Sequence, residues 1–308
     1  MSEAQTRCGF AAVIGAPNAG KSTLVNRLVG TKVSIVTHKV QTTRAPVRGV
    51  TIRGQTQIVF VDTPGIFKPR RRLDRAMVKA AWEGAGDADA VVLIVDAADL
   101  AAHPEGHAAQ DTHAIIEGLK TSGRKAALVL NKIDDMKRAD LLPLAEKLNE
   151  EGAFEQVFMV SALKGDGVED LASWVAGKMP EGPWLYPEDQ AADIPSRLLA
   201  AEITREKLYL RLHDELPYAT AVETEKWEER KDGSVKIDQV VYVQRESQKA
   251  IVLGKQGRSI KAIGEAARRE MEDIFGRRVH LFLFVKLREN WADAREHYHE
   301  IGLEFPEE

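Results

Sequence analysis

Short apolar runs alternate with amphipathic stretches through the first half of the chain. FAAVIG (Phe10–Gly15), QIVFVD (Gln57–Asp62), AVVLIVD (Ala90–Asp96), AALVLN (Ala126–Asn131) and QVFMVSA (Gln156–Ala162) are brief, β-branched and followed by turn or polar residues. That pattern predicts buried strands. VRGVTIRG (Val47–Gly54) alternates instead and lies only a short turn before the Gln57 run, which predicts an antiparallel edge strand. Helical spacing over stretches such as Ser22–Val29 and Asp170–Lys178 separates most of the runs. Buried strands alternating with helices predict an α/β domain over residues 1–179. Its expected sheet is six-stranded, mostly parallel and doubly wound.

The pattern changes after Lys178. MPEGPWLYPEDQAADIP contains Pro180, Pro183, Pro187 and Pro195, and residues 180–195 read as a proline-rich linker. Residues 196–308 then form a second, α+β module. A helix is expected over SRLLAAEITREKLYLRLHDEL, followed by two alternating strands joined across RKDGS, where Asp232-Gly233 is a hairpin signal. A short helix, the loop GKQG (Gly254–Gly257), a longer helix to about Phe275 and the strand RVHLFLFVKL complete an α-β-β-α-α-β order.

Charge sharpens the picture only locally. The 308 residues carry a net charge of −4, yet Arg245–Arg288 holds 11 basic against 5 acidic residues, and Glu289–Glu308 holds 1 against 7. A basic block in a mildly acidic chain is a possible footprint of a polyanion. The one cysteine, Cys8, excludes an internal disulfide framework and suits a reducing compartment. No run approaches the ~20 apolar residues of a membrane span. The opening MSEAQTRCGFAAVIGAP lacks a signal-peptide pattern, so a cytoplasmic location is expected.

Chemistry enters at four loops. GAPNAGKS (Gly15, Ala16, Pro17, Asn18, Ala19, Gly20, Lys21, Ser22) fits G-x-x-x-x-G-K-S between a strand and a helix that continues through Thr23. Backbone N–H groups there can close around a β-phosphate, Lys21 can bridge β- and γ-phosphates, and Ser22 can ligate Mg²⁺. In DTPG, Asp62 ends a strand where it can hold the Mg²⁺ shell. Thr63 and Pro64 lead to Gly65, whose N–H can meet the γ-phosphate. In NKID, Asp134 three residues after Asn131 can accept two hydrogen bonds from guanine N1–H and N2–H₂, with the Lys132 stem against the base. Adenine would leave that carboxylate unpaired, which favours GTP over ATP. In SAL (Ser161, Ala162, Leu163), the Ala162 N–H can reach the base oxygen. Thr42 and Thr43 in HKVQTTRAP both suit the remaining Mg²⁺ position and action in hydrolysis, together with Lys21 and Gly65. Ile66 stands where Ras-like enzymes carry glutamine and offers no group to orient water.

With QTTR, DTPGIF, NKID, SAL and the GKQG module in this order, the chain resembles the Era family of bacterial GTPases nearly end to end. The resemblance implies a GTP hydrolase that acts in small ribosomal subunit assembly and binds GTP and GDP. The C-terminal module resembles a type II KH domain. Gly254, Lys255, Gln256, Gly257 and Arg258 would grip single-stranded RNA, and Lys261, Arg268 and Arg269 would add contacts from the following helix. Ile251, Ile260 and Ile263 are expected to line the base groove. The implied RNA is the 3′ end of small-subunit ribosomal RNA, on the small ribosomal subunit. Through Asn18 the resemblance implies K⁺ beside the phosphates, and the family adds peripheral inner-membrane association. The competing reading is a signalling GTPase whose second domain binds protein or membrane.

Overall fold

The computed structural model describes residues 6–39, 41–152, 154–212, 216–289, 291 and 294–306. They fall into two compact units, one running to Asp193 and taking in the chain from Gly302 onward, the other spanning Ile194–Ile301.

In the first unit, β1 (Arg7–Ile14), β2 (Val47–Arg53), β3 (Thr56–Asp62), β4 (Ala90–Asp96), β5 (Ala126–Asn131) and β6 (Phe154–Val160) form one sheet in the order β2-β3-β1-β4-β5-β6. All pairings are parallel except β2 with β3. The strands are apolar on both faces because helices cover both. Ala12 and Ile14 of β1 join one core and Ala11 and Val13 the other. Helices α2 (Arg72–Asp87), α4 (His107–Thr121) and α5 (Arg138–Glu151) supply residues to the first core. Helices α1 (Lys21–Val29) and α6 (Val168–Lys178) supply the second, and the short α3 (Ala97–Ala102) follows β4. Parallel pairing brings the ends of β1, β3, β4, β5 and β6 to one edge, where the motif loops begin.

The segment read as a linker is bound to this unit as far as Asp193. Cys8 N–H donates to Pro180 O at 3.1 Å, Val50 N–H to Ala191 O at 2.8 Å, and Asp193 N–H to Arg48 O at 3.0 Å. The last two satisfy backbone groups on the outer edge of β2, which would otherwise be an open edge. Gln57, fully buried, accepts from the Leu185 and Tyr186 N–H groups at 2.8 and 3.0 Å through Oε1. Its Nε2 donates to Tyr186 O at 2.8 Å. Proline spacing gives no sign of these contacts, because they lie more than 120 residues away along the chain.

The second unit places α7 (Ser196–Arg211), α8 (Glu246–Leu253) and α9 (Arg258–Phe275) with a three-stranded sheet. Its strands are β7 (Thr220–Glu229), β8 (Val235–Val243) and β9 (Val279–Leu287), in that order, antiparallel then parallel. The Asp232-Gly233 turn forms as expected, with Asp232 Oδ1 accepting from Ser234 N–H at 3.0 Å. Helix α7 stops at Arg211 rather than running to Leu216; His213–Glu215 of that expected helix lie outside the described residues. Trp291 is buried and donates Nε1–H to Ala219 O at 3.2 Å, and a short α10 (Arg295–Glu300) follows.

Replacing Gln57 with alanine removes three hydrogen bonds from the 184–186 strap. Each is worth about 1 kcal/mol net, so amide hydrogen exchange at Leu185 and Tyr186 is expected to rise roughly tenfold or more. Unchanged exchange at both would show that other contacts hold the strap.

Candidate nucleotide site and nucleic-acid interface

Three of the four loops meet at one side chain. Asn131, buried at the end of β5, donates Nδ2–H to Ala19 O at 2.8 Å and accepts the Ala162 N–H on Oδ1 at 2.9 Å. Gly20 makes the first contact possible: at φ +99° its backbone suits glycine, and a Cβ there would lie 2.2 Å from Asn131 Nδ2. The Ala162 N–H, expected to face a base oxygen, is therefore committed to Asn131. Its local sequence could not reveal a partner 31 residues away.

Two further residues, neither legible in the motifs, support the base side of the cavity. Arg27 on α1 donates Nε–H to Ala162 O at 3.2 Å and a second N–H to Leu163 O, tying the SAL loop to the helix that starts at Lys21. Asp96 at the end of β4 caps α3 through Asp99 N–H (3.0 Å) and pairs with Lys132 Nζ at 2.5 Å. Lys132 sits at φ +62°, so its stem is held by that ion pair beside the cavity it lines. Asp134 is held below the usual carboxylate range by hydrogen bonding to Ser161 and by Lys164, whose Nζ lies 3.5 Å away. It stays ionised and able to accept. The Leu163 side chain is exposed.

At the phosphate end the side chains are buried. Lys21, 6% exposed, donates to Gly15 O at 3.0 Å and Ala16 O at 2.8 Å. Asp62 is fully buried; its Oδ2 accepts from Ser22 Oγ–H at 2.7 Å and Thr43 Oγ1–H at 3.2 Å, and those two hydroxyls are 3.0 Å apart. Its Oδ1 has no hydrogen-bond partner. Burial pushes the Asp62 carboxyl up, opposed by the Ser22 hydroxyl and then the Lys21 ammonium. An all-oxygen set with one orphaned carboxylate oxygen fits Mg²⁺. Thr43 belongs to this cluster. The Thr42 hydroxyl is 2.7 Å from Thr37 Oγ1 and donates to Lys39 O at 2.8 Å, so it turns into its own loop.

Pro17, Asn18, Thr23 and Gly65 line the same cavity of about 540 Å³. Asn18 is exposed at φ +63°. Gly65 packs on the first loop, where a Cβ would meet Pro17 at 3.0–3.1 Å. Thr63 faces away, donating to Val13 O at 2.8 Å, and Pro64 beside it is buried. Ile66 belongs to the apolar core, 5% exposed, so it takes no part in orienting water.

The second glycine loop is open. Gly254 and Gly257 lie at φ +69° and +72°, with Gln256 between them at +56°. Nothing stands within 4 Å of a Cβ built on Gly257. Lys255, Gln256, Arg258 and Lys261 are exposed. Arg268 and Arg269 are partly neutralised on α9 by Glu272 (2.7 Å) and Glu265 (2.5 Å). A groove of about 380 Å³ runs between α9 and β9, lined by Ile260, Gly264, Arg268, Leu281 and Leu283. Of the three isoleucines expected there, only Ile260 lines it. Ile263 is one helical step round, packs in the core and, with the 58% exposed Ile251, borders a separate hollow that Leu210 and Leu216 also line.

Burial lowers the Lys21 ammonium to about 8, with the Asp62 carboxylate opposing the shift. Without nucleotide the neutral amine therefore gains ground above that pH, and a bound polyphosphate would restore the charge. Nucleotide binding should take up a proton and be at full strength below pH 8. Above it, affinity should fall up to tenfold per pH unit. Calorimetry at pH 8.5 in buffers of different ionisation enthalpy checks this; heats independent of buffer, or a proton uptake retained in Lys21→Arg, would refute it.

Two sequence families match the chain: "50S ribosome-binding GTPase" over residues 10–132 and "KH domain" over residues 215–292. GTPase Era of Brucella suis is 63% identical over 302 residues, covering 98% of this chain and 95% of the relative. GTPase Era of Caulobacter vibrioides is 62% identical over 308 residues, covering 98% of each. A crystal structure of Era in complex with MgGDPNP and nucleotides 1506–1542 of 16S ribosomal RNA superposes with a TM-score of 0.88 at 36% identity, covering 96% of this chain and 99% of that one. An Aquifex aeolicus Era variant bound to GDP and AlF₄⁻ gives the same values. On identity at this level along nearly the whole length, the chain belongs to the Era family of GTPases.

Proposed function

We propose that this protein is a cytoplasmic GTP hydrolase that binds the 3′ end of small-subunit ribosomal RNA and acts in assembly of the small ribosomal subunit. The observation that carries the reading is the joint presence of two phosphate-gripping loops of opposite character. One is enclosed and holds Lys21 and Asp62, both buried; the other is open and flanked by exposed Lys255, Arg258 and Lys261. The solved relative that holds a GTP analogue together with nucleotides 1506–1542 of 16S ribosomal RNA supports the pairing.

In the enclosed site, Asp134 accepts the guanine donors and Lys132, anchored by Asp96, covers the base. Lys21 exchanges its bonds to Gly15 and Ala16 carbonyls for phosphate oxygens, so its charge is placed before substrate arrives. The Gly65 N–H faces the γ-phosphate. Ser22, Thr43 and Asp62 would hold Mg²⁺, which supplies neutralising charge on the β- and γ-phosphate oxygens. Thr43 reaches that position from a loop, so its grip depends on the nucleotide state and links hydrolysis to the loop's order. At the open site, the backbone turn at Gly254–Gly257 takes the RNA chain, and the Ile260–Leu281–Leu283 groove takes unstacked bases. Among the described residues no helix is long and apolar enough to cross a membrane. Peripheral association with the inner membrane rests on family resemblance.

With Ile66 in the core, another element must orient water or supply positive charge near the transferred phosphoryl group. Asn18, exposed at the cavity mouth, is proposed to hold K⁺ there. GTP hydrolysis should then be at least severalfold faster in K⁺ than in Na⁺ at equal ionic strength. Equal rates in the wild type, or a K⁺ effect that survives Asn18→Ala, would remove the assignment.

Gly257→Asp tests the RNA site against a Gly257→Asn control: both side chains enter open space and both carry the strain of a Cβ at φ +72°, but only Asp adds charge. A negative charge where phosphate must approach should lower affinity for an RNA of nucleotides 1506–1542 about a hundredfold, with GTP affinity unchanged. Wild-type RNA binding by this variant, measured by filter retention, would sink the reading of GKQG.

A further inference from the structure

The segment that follows Gly65 carries a cluster of charge that the site described above does not use. Lys68, Arg70, Arg71 and Arg75 are all exposed, and among the described residues none of them has an ion-pair partner. Their neighbours on the same stretch are engaged: Arg72 lies over the Phe305 ring at 5.0 Å, and Lys79 pairs with Glu83 at 3.4 Å and Glu304 at 2.6 Å. Four like charges within eight residues repel one another, at a cost that a nearby carboxylate would relieve.

The loop that displays them is nonetheless pinned. Asp74, 6% exposed, accepts the Arg70 and Arg71 N–H groups on Oδ2 at 3.1 and 3.0 Å, closing the start of α2. Its Oδ1 lies 3.5 Å from Gln41 Nε2 in the Thr42–Thr43 loop. On the other side, burial raises the carboxyl of Asp111 on α4, and the nearby Lys68 backbone lowers it. The Asp74 carboxylate is thus spent on the loop's backbone, and the cationic side chains are left to solvent.

We propose that Lys68, Arg70, Arg71 and Arg75 form a second phosphate-contacting surface for RNA, on the GTPase unit and separate from GKQG. The inference rests on the RNA-binding reading above and adds a site to it. An RNA backbone is the occupant that the charge selects, being a regularly spaced polyanion that neutralises a stripe of fixed cations by releasing counterions. The surface begins three residues after Gly65, on a loop tied through Asp74 to the loop bearing Thr43. RNA held there bears directly on the backbone that meets the γ-phosphate.

The test uses the full chain with Lys68→Gln, Arg70→Gln and Arg71→Gln combined, and a charge-keeping control with Lys68→Arg, Arg70→Lys and Arg71→Lys. Filter binding is measured against salt with the 1506–1542 RNA and with full-length small-subunit ribosomal RNA. Losing three phosphate contacts should reduce the slope of log affinity against log salt by roughly 2. The same loss should lower affinity at least tenfold near physiological salt. The control should bind like wild type, and RNA-free GTP affinity should be unchanged in both. A neutralised variant that matches wild type in slope and affinity on both RNAs overturns the surface, provided Gly257→Asp loses binding in the same assay. If Gly257→Asp also binds like wild type, it is the underlying RNA assignment of GKQG that has failed. Equal loss in the neutralised variant and its charge-keeping control would show a change in loop shape and would also overturn the proposal.

Discussion

The Asn131 side-chain amide is bonded to two loops that come from opposite ends of the GTPase unit's sequence. Its N–H holds the carbonyl of Ala19 in the phosphate loop, and its oxygen holds the N–H of Ala162 in the loop after β6. Being at the end of β5 itself, it fixes three loops at once. Both bonds are buried, so breaking one leaves a polar group with no water to replace its partner. Gly20 has no side chain because this amide occupies the space. The distance between the phosphate-binding and base-binding halves of the site is thereby set before any ligand arrives, which lowers the ordering cost of binding.

From this junction the division of labour follows. Base-side residues are partly exposed but tied to one another: Lys132 to Asp96, Asp134 to Lys164, and the SAL loop to Arg27. On the phosphate side Lys21, Thr43 and Asp62 are buried and tied through hydroxyls and carbonyls. The base must enter and leave, while the phosphate cradle must keep its charges desolvated to make them effective. Ile66 shows the same economy in reverse. Its position after Gly65 is given to the core, where it offers no water-orienting group.

Much of this was readable from the chain. Each parallel strand is a short apolar run, and each motif sits where one ends, because phosphate, metal and guanine chemistry demand particular residue types at fixed offsets. Contacts that join distant segments through ordinary residues were not readable. Arg27 and Asp96 carry no motif, and Gln57 lies inside an otherwise apolar strand. Their partners are set by tertiary packing, and local periodicity does not report it. The three isoleucines near GKQG fail for a related reason. On one helix, residues 260 and 263 are close enough to suggest a shared face, yet a rotation of three residues separates groove from core. Thr42 and Thr43 are neighbours in sequence, and only the path of the loop distinguishes them.

The two glycine loops solve one problem under opposite boundary conditions. A nucleoside triphosphate is small enough to be enclosed, so its charge can be met by a buried lysine and by backbone N–H groups, with water excluded. Interactions of that kind are strong, geometrically exact and weakly screened by salt. An RNA strand extends beyond any cavity that a domain of about a hundred residues can offer. The proposed RNA site accordingly consists of an exposed turn, a shallow groove and surface cations, and contacts of that kind are long-ranged, tolerant of geometry and sensitive to salt. A protein in which the first loop were open or the second enclosed would lose discrimination in one case and access in the other. Two loops lie between these regimes: Thr43 and Gly65 belong to the enclosed site, and the chain running on from Gly65 is exposed from Lys68 to Arg71. Any partner that senses nucleotide state by touching this segment must therefore read it from the solvent side.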